Sequence, residues 1–277
     1  MTVFRLIQLI RPFNCLLSLV AVFFGAFYNR QIYFDFRLLS AGIAAFLIAA
    51  GGNAINDFFD IEIDVINCPD RILPSGKISP KTAYIFAVFL FVSGGIASFF
   101  IGNFLSVATA YFNALMLFKY SQKWKKLFLV GNLAVAYLSA STFIFGGLAS
   151  GNVKNATGIA VFAFLISLLR EIIKDMEDIK GDSKLSARTM PCILGLETSA
   201  KTAFMPTLST GGLIAYLTGS GIFSLLKGIV FAIAVFIPLL FMNIKILNRR
   251  ESLFLHKCSS FIKLTMLLVL ALYWLIN

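Results

Sequence analysis

Long apolar segments alternate with short polar ones along almost the whole chain. Nine segments are close to the roughly 20 apolar residues that cross a bilayer as a helix, and they are residues 4–28, 38–60, 82–101, 103–119, 127–149, 156–178, 197–218, 222–244 and 255–276. The first segment is too long for a cleaved signal peptide and lacks its small-residue exit, so we interpret it as a true span. The pattern predicts an all-α, polytopic membrane protein with nine transmembrane helices.

Composition agrees with this fold class, and the distribution of charge predicts an orientation. The 277-residue chain is 59% hydrophobic, with 30 Phe residues and a mean hydropathy of +0.88. Its net charge of +11 is concentrated in alternate loops. By the positive-inside rule these loops are cytoplasmic, so we predict a cytoplasmic N-terminus and no nucleic-acid partner. The remaining basic excess is suited to anionic substrate or lipid head groups.

An acid-rich stretch runs from Asn53 to Asp64 at the end of the second predicted span. At about 100° per residue, one helix face spanning roughly 100° carries Asn53, Asn56, Asp57, Asp60 and Asp64. Ionisable groups at membrane depth usually face a polar cavity and mark function. Carboxylate oxygens also suit Mg²⁺, which is commonly held by one or two carboxylates together with substrate phosphates. This first stripe is therefore a candidate site for divalent cations.

A second acidic stripe, Glu171 to Asp182, repeats this spacing at an offset of 118 residues. Its Glu171, Asp175, Asp178 and Asp182 correspond to Asn53, Asp57, Asp60 and Asp64. The following loops also match, with Arg71-Ile-Leu-Pro74 opposite Arg188-Thr-Met-Pro191. Two motifs and a loop in the same order indicate an internal repeat, with halves at about 1–126 and 127–277 within a single domain.

Four predicted spans separate the two equivalent helices, so the repeat is expected to be parallel. Parallel repeats place equivalent elements on the same side of the membrane. We therefore expect the nine helices to surround a central cavity, with both stripes at its cytoplasmic side. The polar segments 61–80 and 179–196, which follow the stripes, contain turn signals and are predicted as loops long enough to act as lids.

A structural alternative is that the acidic residues only cap helix ends and pair with local lysines. Two clusters with one spacing argue against that alternative, although it is kept for Glu62 and Glu177, which point away from their stripes. The basic cluster Lys119–Lys126 has two open interpretations, contact with anionic lipid or phosphate binding by Lys125 with Tyr120 alongside.

The start of the first span is also open to two interpretations. Pro12 suits a helix start, whereas Arg11 and Asn14 could contact a polar or anionic group at the cavity mouth. The four cysteines show no metal-binding spacing and are interpreted as packing residues. His256, the single histidine, is assigned no chemical role.

These motifs resemble those of the UbiA superfamily of intramembrane prenyltransferases. The NxxxDxxxD signature is matched by Asn56, Asp60 and Asp64, and the second, DxxxD-type signature by Asp178 and Asp182 with Asp175 adjacent. Further matches are RPxN at Arg11–Asn14, YSxxxK at Tyr120, Ser121 and Lys125, and TxP at Thr189 and Pro191. One departure is Lys174, which stands where a strict DxxxDxxxD pattern has an acid, so that Asp175 or Glu171 has to supply the missing oxygen.

The resemblance implies magnesium-dependent transfer of a prenyl group from a prenyl diphosphate, in a multi-pass protein of the cell membrane whose active site opens toward the cytoplasm. It implies two or more Mg²⁺ ions bound by Asn56, Asp60, Asp64, Asp175, Asp178 and Asp182. It also implies diphosphate binding by Arg71, Lys125, Tyr120 and Arg188, and acceptor binding by Arg11 and Asn14. The catalytic residues would be Asp60, Asp64, Asp178, Asp182 and Lys125.

Within the superfamily, the sequences around the two stripes most resemble archaeal digeranylgeranylglyceryl phosphate synthases. That resemblance implies transfer of a geranylgeranyl group to the free hydroxyl of geranylgeranylglyceryl phosphate, a lipid-phosphate acceptor. Two alternatives stay open: an aromatic-acceptor prenyltransferase that makes a quinone or haem precursor, and a cation- or proton-coupled transporter. Oligomeric state cannot be read from the sequence.

Overall fold

The computed structural model describes residues 2–26, 35–184 and 187–275, and all regular structure within these ranges is helical. The helices are α1 (Thr2–Leu9), α2 (Pro12–Ala26), α3 (Phe36–Phe59), α4 (Ile61–Asn67), α5 (Pro80–Phe99), α6 (Phe104–Gln122), α7 (Val130–Ala149), α8 (Val153–Lys184), α9 (Met190–Thr202), α10 (Phe204–Gly219), α11 (Leu225–Phe231), α12 (Ile237–Asn248) and α13 (Ser252–Leu275). A 3₁₀ turn covers Trp124–Lys126, and π-helical residues Ala232–Phe236 join α11 to α12.

The chain is an all-helical, polytopic membrane protein. Six helical segments of the described residues are long and apolar enough to cross a membrane, or seven if the bent pair α1–α2 counts as one span. They are α3, α5, α7, α8, Leu225–Asn248 and α13. The nine predicted segments all contain helix, apart from their ends at residues 27–28 and 276, which lie outside the described residues.

Two of the nine predicted spans are not among the helices of the described residues that are long and apolar enough to cross a membrane. Helix α10 has only 16 residues, because the chain breaks at Ala203 between α9 and α10. The Asn243 amide stabilises this break by donating to the Ala203 carbonyl at 3.0 Å and to Thr207 Oγ1 at 2.6 Å. Helix α6 has 19 residues but includes the polar Asn113 and Lys119. Its apolar character is therefore weaker than the length alone indicates.

The predicted polar loops are also partly helical. Residues 61–67 form α4, residues 179–184 extend α8 by one and a half turns, and α9 begins at Met190. The second acidic stripe therefore lies entirely on one 32-residue helix. Between α4 and α5 the chain forms turns, and the Ser79 hydroxyl ends this segment by accepting from the Thr82 amide at 3.1 Å as the N-cap of α5.

The chain divides into two compact units. Unit 1 comprises residues 1–124 and 141–157, and unit 2 comprises residues 125–140 and 158–277. Unit 1 holds the first acidic stripe, and unit 2 holds the second. The parallel arrangement of the halves and the central cavity stay predictions.

The core of unit 1 is built around α3. Small residues of this helix, including Ala41, Ala44 and Ala54, are fully buried and allow neighbouring helices to approach closely. Helices α2 and α7 also approach each other closely, because an added Cβ at Gly25 would collide with the Phe143 carbonyl and one at Gly146 with the Val22 carbonyl. The two glycines therefore let the backbones of α2 and α7 touch.

The core of unit 2 surrounds the first half of α8, with Phe162, Ile166, Leu169 and Ile173 almost completely buried. Lys227 of α11 is also buried, and its ammonium group donates to the Tyr273 carbonyl at 3.2 Å. The same group lies 4.7 Å and 4.9 Å from the ring centroids of Phe223 and Tyr273. These cation–π contacts compensate for burial of the charge and attach the end of α13 to α11.

Candidate active site

The first stripe is interrupted at Asp60, where α3 ends and α4 begins. The backbone hydrogen bonds nevertheless continue, because the Asp60 amide donates to the Asn56 carbonyl at 3.0 Å and the Asp64 amide to the Asp60 carbonyl at 2.8 Å. Asn56, Asp60 and Asp64 therefore follow one another by one turn each, and the Asn56 amide nitrogen donates to Asp60 Oδ2 at 2.9 Å. The expected spacing is retained across the junction.

Arg71 is bonded to the last acid of this stripe. Its Nη1 donates to Asp64 Oδ2 at 2.6 Å, and the Asp64 side chain is 8% exposed whereas that of Arg71 is 41% exposed. Burial opposes the charge on Arg71, but the hydrogen bond and charge of Asp64 outweigh it and raise the pKa of Arg71. Arg71 is therefore held in its charged form, and its side chain stays partly exposed.

Arg11 is bonded to Asp57 in the same unit. Arg11 lies between α1 and α2, which are bent by 58°, and it has a φ of 51°, a left-handed conformation that is uncommon for residues other than glycine. From this position its Nη2 forms an ion pair with Asp57 Oδ1. Asn53 is used structurally, because its amide donates to the Ile10 carbonyl at 2.7 Å, and Asn14 is exposed.

In unit 2, Asp175 and Asp182 are held by neutral donors. The Asn132 amide of α7 donates to Asp175 Oδ2 at 2.8 Å. The Thr189 hydroxyl donates to Asp182 Oδ2 at 3.0 Å, and the backbone amide of Ala187 donates to the Asp182 carbonyl at 3.0 Å. Thr189 is the N-cap residue of α9, but its hydroxyl makes no capping bond, because it is turned to Asp182.

Two further acids of α8 are paired away from this group. Glu171 forms an ion pair with the adjacent Arg170, so of the two residues expected to replace the acid missing at Lys174, Asp175 is the one without an ionic partner in the described part of the chain. Glu177 Oε1 accepts a hydrogen bond from His256 Nδ1 at 2.8 Å. This contact with α13 agrees with the structural interpretation of Glu177.

The remaining predicted residues are distributed as follows. Tyr120 is half-buried on α6 in unit 1, and Lys125 is half-buried on the 3₁₀ turn in unit 2. Asp178 and Arg188 are exposed in unit 2, and the Arg188 backbone amide donates to the Lys126 carbonyl at 2.8 Å. This bond joins the basic turn to the loop that carries Thr189.

The bonds that hold the two stripes are themselves spaced by 118 residues. Asp64 and its partner Arg71 correspond to Asp182 and its partner Thr189. The left-handed residue Arg11, with a φ of 51°, corresponds to Leu129, with a φ of 55°. Equivalent acids thus have partners of different chemistry, arginines in unit 1 and neutral donors in unit 2.

Neither Asn132 nor Thr189 was predicted to contact an acidic stripe, although Thr189 was matched as part of the TxP motif. The loop motifs pair Arg71 with Arg188, and this pairing differs by one residue from the constant offset of 118. The offset itself assigns Thr189 to Arg71 and Asn132 to Asn14. A strict use of that offset would therefore have found both residues.

The donor sets fit Mg²⁺ when a diphosphate is also present. Among the described residues, no group of three or more His, Cys, Asp or Glu side chains is placed to hold a metal ion. Mg²⁺ does not need such a group, because it keeps several waters and takes one or two carboxylates plus substrate phosphates. Asn56, Asp60 and Asp64, like Asp175, Asp178 and Asp182, offer only carboxylate and amide oxygens, which are hard ligands of this kind.

The comparison with protein families decides the class of this chain. Residues 18–274 match the model of the UbiA prenyltransferase family. The chain belongs to the UbiA prenyltransferase family. The resemblance stated from the motifs is thereby confirmed, and family membership argues against the transporter alternative.

Relatives in this family match over nearly the whole chain. The chain is 34% identical over 252 residues to the digeranylgeranylglyceryl phosphate synthase of Methanothermobacter thermautotrophicus, covering 90% of this chain and 85% of the relative. It is 35% identical over 263 residues to the enzyme of the same name from Methanosphaera stadtmanae, covering 95% of each.

Solved structures of the family have the same fold. A structure of digeranylgeranylglyceryl phosphate synthase superposes with a TM-score of 0.86 at 33% identity, covering 98% of this chain and 97% of that one. A UbiA homologue from Archaeoglobus fulgidus, bound to DMAPP and Mg²⁺, superposes with a TM-score of 0.73 at 19% identity, covering 98% of each chain.

Proposed function

We infer that this chain is a prenyltransferase of the digeranylgeranylglyceryl phosphate synthase type. It transfers a geranylgeranyl group from geranylgeranyl diphosphate to the free hydroxyl of geranylgeranylglyceryl phosphate, and it releases pyrophosphate. The single observation that carries this assignment is the 35% identity to a synthase of that name over 95% of both chains. The TM-score of 0.86 to a solved synthase supports it.

The cofactor proposed for this reaction is Mg²⁺, with at least two ions per chain. A UbiA homologue binds Mg²⁺ together with a prenyl diphosphate, and the donor sets of the two units fit the same ion. The ligands would be Asn56, Asp60 and Asp64 in unit 1, and Asp175, Asp178 and Asp182 in unit 2. When bound, Mg²⁺ neutralises the negative charge that develops on the diphosphate leaving group.

The basic residues of each unit supply the rest of the charge stabilisation. Arg71 is charged, is 41% exposed and uses one of its five N–H donors on Asp64, so it can donate to diphosphate oxygens as well. Lys125 and Arg188 are proposed to contact the same group, with Tyr120. Arg11 and Asn14 are proposed to contact the phosphate of the acceptor.

The reaction breaks the bond between C1 of the prenyl chain and the diphosphate oxygen, and its electron pair leaves with pyrophosphate. The acceptor hydroxyl oxygen then forms a bond to C1 and loses its proton. The proton is taken by an Asp of either stripe or by the departing pyrophosphate. Placing charged donors where the leaving group gains charge is the electrostatic part of catalysis and is usually its largest contribution.

The finer architecture is proposed on the same grounds. We propose nine membrane-crossing segments, a cytoplasmic N-terminus and an active site that opens to the cytoplasm, supported by the helix in each predicted segment and by the positive-inside pattern. An internal repeat is supported by the equal spacing of the stripes, of their bonded partners and of the left-handed residues Arg11 and Leu129.

An acceptor screen tests the function. Purified full-length protein in detergent, supplied with Mg²⁺ and radiolabelled geranylgeranyl diphosphate, is expected to convert geranylgeranylglyceryl phosphate to the doubly prenylated lipid with release of pyrophosphate. Equal concentrations of a hydroxybenzoate and a naphthoate are the matched alternative acceptors. Product from an aromatic acceptor alone would overturn the substrate assignment and favour the quinone-type alternative, and pyrophosphate release with no acceptor product would overturn both.

A further inference from the structure

The acidic stripes of the two units differ in the charge of the groups that hold them. In unit 1, Asp57 and Asp64 are bonded to Arg11 and Arg71, so two of the carboxylates are already neutralised by guanidinium groups. In unit 2, the equivalent Asp175 and Asp182 are bonded to the amide of Asn132 and the hydroxyl of Thr189. These donors order the carboxylates but carry no positive charge of their own.

The other basic side chains near the second stripe do not remove this difference. Lys174 lies near enough to interact electrostatically with Asp175, Asp178 and Asp182, and Lys126 also interacts with Asp182. Both lysines are exposed, where water screens their charge. The partners of unit 1, by contrast, bond directly to carboxylates whose side chains are only 8% and 12% exposed.

A cation that binds at the first stripe therefore has to compete with an arginine for the same oxygen. Hydrogen bonds to charged groups contribute roughly 1.5–3 kcal/mol, so displacing one weakens cation binding by about 10- to 100-fold. No such displacement is needed at Asp178 and Asp182, which lie one turn apart on α8. These two carboxylates can supply part of the coordination of a divalent cation, and Mg²⁺ usually keeps several waters as its other ligands.

We propose that the two stripes bind divalent cations in a fixed order. This proposal rests on the proposed function. The stripe of unit 2 binds one cation without substrate. The stripe of unit 1 binds a second only with the prenyl diphosphate, because the diphosphate offers Arg71 a bidentate anionic partner and releases Asp64. Arg71 thus acts as a positioning residue that keeps the first stripe from binding metal until substrate is present.

Direct measurement of bound Mn²⁺ tests the order. Electron paramagnetic resonance and calorimetry on purified full-length protein are expected to give one tightly bound Mn²⁺ per chain. Two are expected after addition of a geranylgeranyl thiolodiphosphate, whose C–S bond resists ionisation. Without the analogue, Asp178→Asn is expected to weaken Mn²⁺ binding at least 10-fold, whereas Asp64→Asn leaves it within about 2-fold. Two equal ions, or none, in the substrate-free wild type would overturn the proposal, as would equal effects of the two Asp variants.

Variants of Arg71 provide the reciprocal test. Arg71→Thr installs the residue found at the equivalent position of unit 2 and is expected to allow two substrate-free Mn²⁺ ions per chain. Arg71→Lys retains the charge as a matched control and is expected to keep one. A stoichiometry of one in a folded Arg71→Thr protein contradicts the proposal. If its thermal midpoint shows that Arg71→Thr is unfolded, the two Asp variants decide.

This outcome is separable from that of the acceptor screen. Mn²⁺ stoichiometry is read without turnover, so a wrong acceptor assignment leaves the binding order intact. Conversely, product formation by a protein that binds both ions together supports the proposed function and overturns only the order.

Discussion

Asp60 and Asp178 hold equivalent positions in the two stripes, and each is a proposed metal ligand. Asp60→Asn and Asp178→Asn keep the size of the side chain but remove its charge. We expect each substitution to lower kcat by about 10²- to 10³-fold, because each removes a group that stabilises charge developing in the transition state. Turnover of radiolabelled geranylgeranyl diphosphate in detergent measures the effect.

Glu62→Gln is the matched control for that prediction. Glu62 lies in the same acid-rich stretch but is exposed and was assigned no role. The activity of the Glu62→Gln variant is expected to stay within about 3-fold of wild type, because exposed substitutions outside a functional site usually have small effects. Equal losses in Glu62→Gln and Asp60→Asn would mean that general negative charge, rather than the stripe, supports turnover.

Arg11 allows a test at a single backbone position. Its φ of 51° costs a residue with a Cβ about 1–2 kcal/mol, while glycine carries an unfolded-state entropy cost of about 0.4–1 kcal/mol. Arg11→Gly and Arg11→Ala both lose the ion pair with Asp57, but only the glycine relieves the backbone. We therefore expect the glycine variant to be the more stable by about 0.5–1 kcal/mol in thermal unfolding in detergent.

The same pair of substitutions at Arg5 serves as the control. Arg5 lies inside α1 with an ordinary helical conformation, where alanine is better than glycine by about 1 kcal/mol. The order of the two variants is thus expected to reverse between positions 5 and 11. If the alanine variant were the more stable at both positions, the left-handed conformation of Arg11 would not contribute to the free energy of unfolding.

At the scale of the elements, the contact between α2 and α7 rests on two glycines. A methyl group at Gly146 would collide with the backbone carbonyl of Val22, and a backbone atom cannot turn aside as a side chain can. Gly146→Ala is expected to destabilise the protein by about 1–3 kcal/mol, the usual cost of overpacking. Thermal or denaturant unfolding in detergent measures it.

Gly212 of α10 provides the comparison, because no atom lies within 4 Å of an added Cβ there. Gly212→Ala is expected to be neutral or stabilising by up to about 1 kcal/mol through helix propensity. A Gly146→Ala protein as stable as Gly212→Ala would contradict the close approach of α2 and α7.

The sequence predicted helices more reliably than their breaks. The apolar pattern placed α3, α5, α7 and α8 because each contains a long apolar run. It missed the end of α9 at Thr202, which depends on Asn243, a residue 40 positions from the carbonyl it contacts. Such breaks are determined by tertiary contacts that local periodicity does not contain.

At the scale of the whole molecule, some of the site residues could be predicted from the sequence and others could not. The acids could be predicted, because their helical spacing recurs at a constant offset. Their partners could not be predicted by residue type, since Arg11 lies 46 residues from Asp57 and Thr189 does not resemble Arg71. Family membership was recognisable because the motifs that carry it consist of the acids and their neighbours in the sequence.

The left-handed conformations of Arg11 and Leu129 bear on how this chain arose and how similar chains can be recognised. The two residues share neither charge nor polarity, yet they have nearly the same φ, 118 positions apart. If a duplicated ancestral segment is their source, backbone shape has outlasted side-chain identity at this position. Aligning the two halves of such proteins by their backbone dihedral angles would then detect a repeat that comparison of residue types overlooks. The same alignment would indicate which hydrogen-bond donors changed after the duplication.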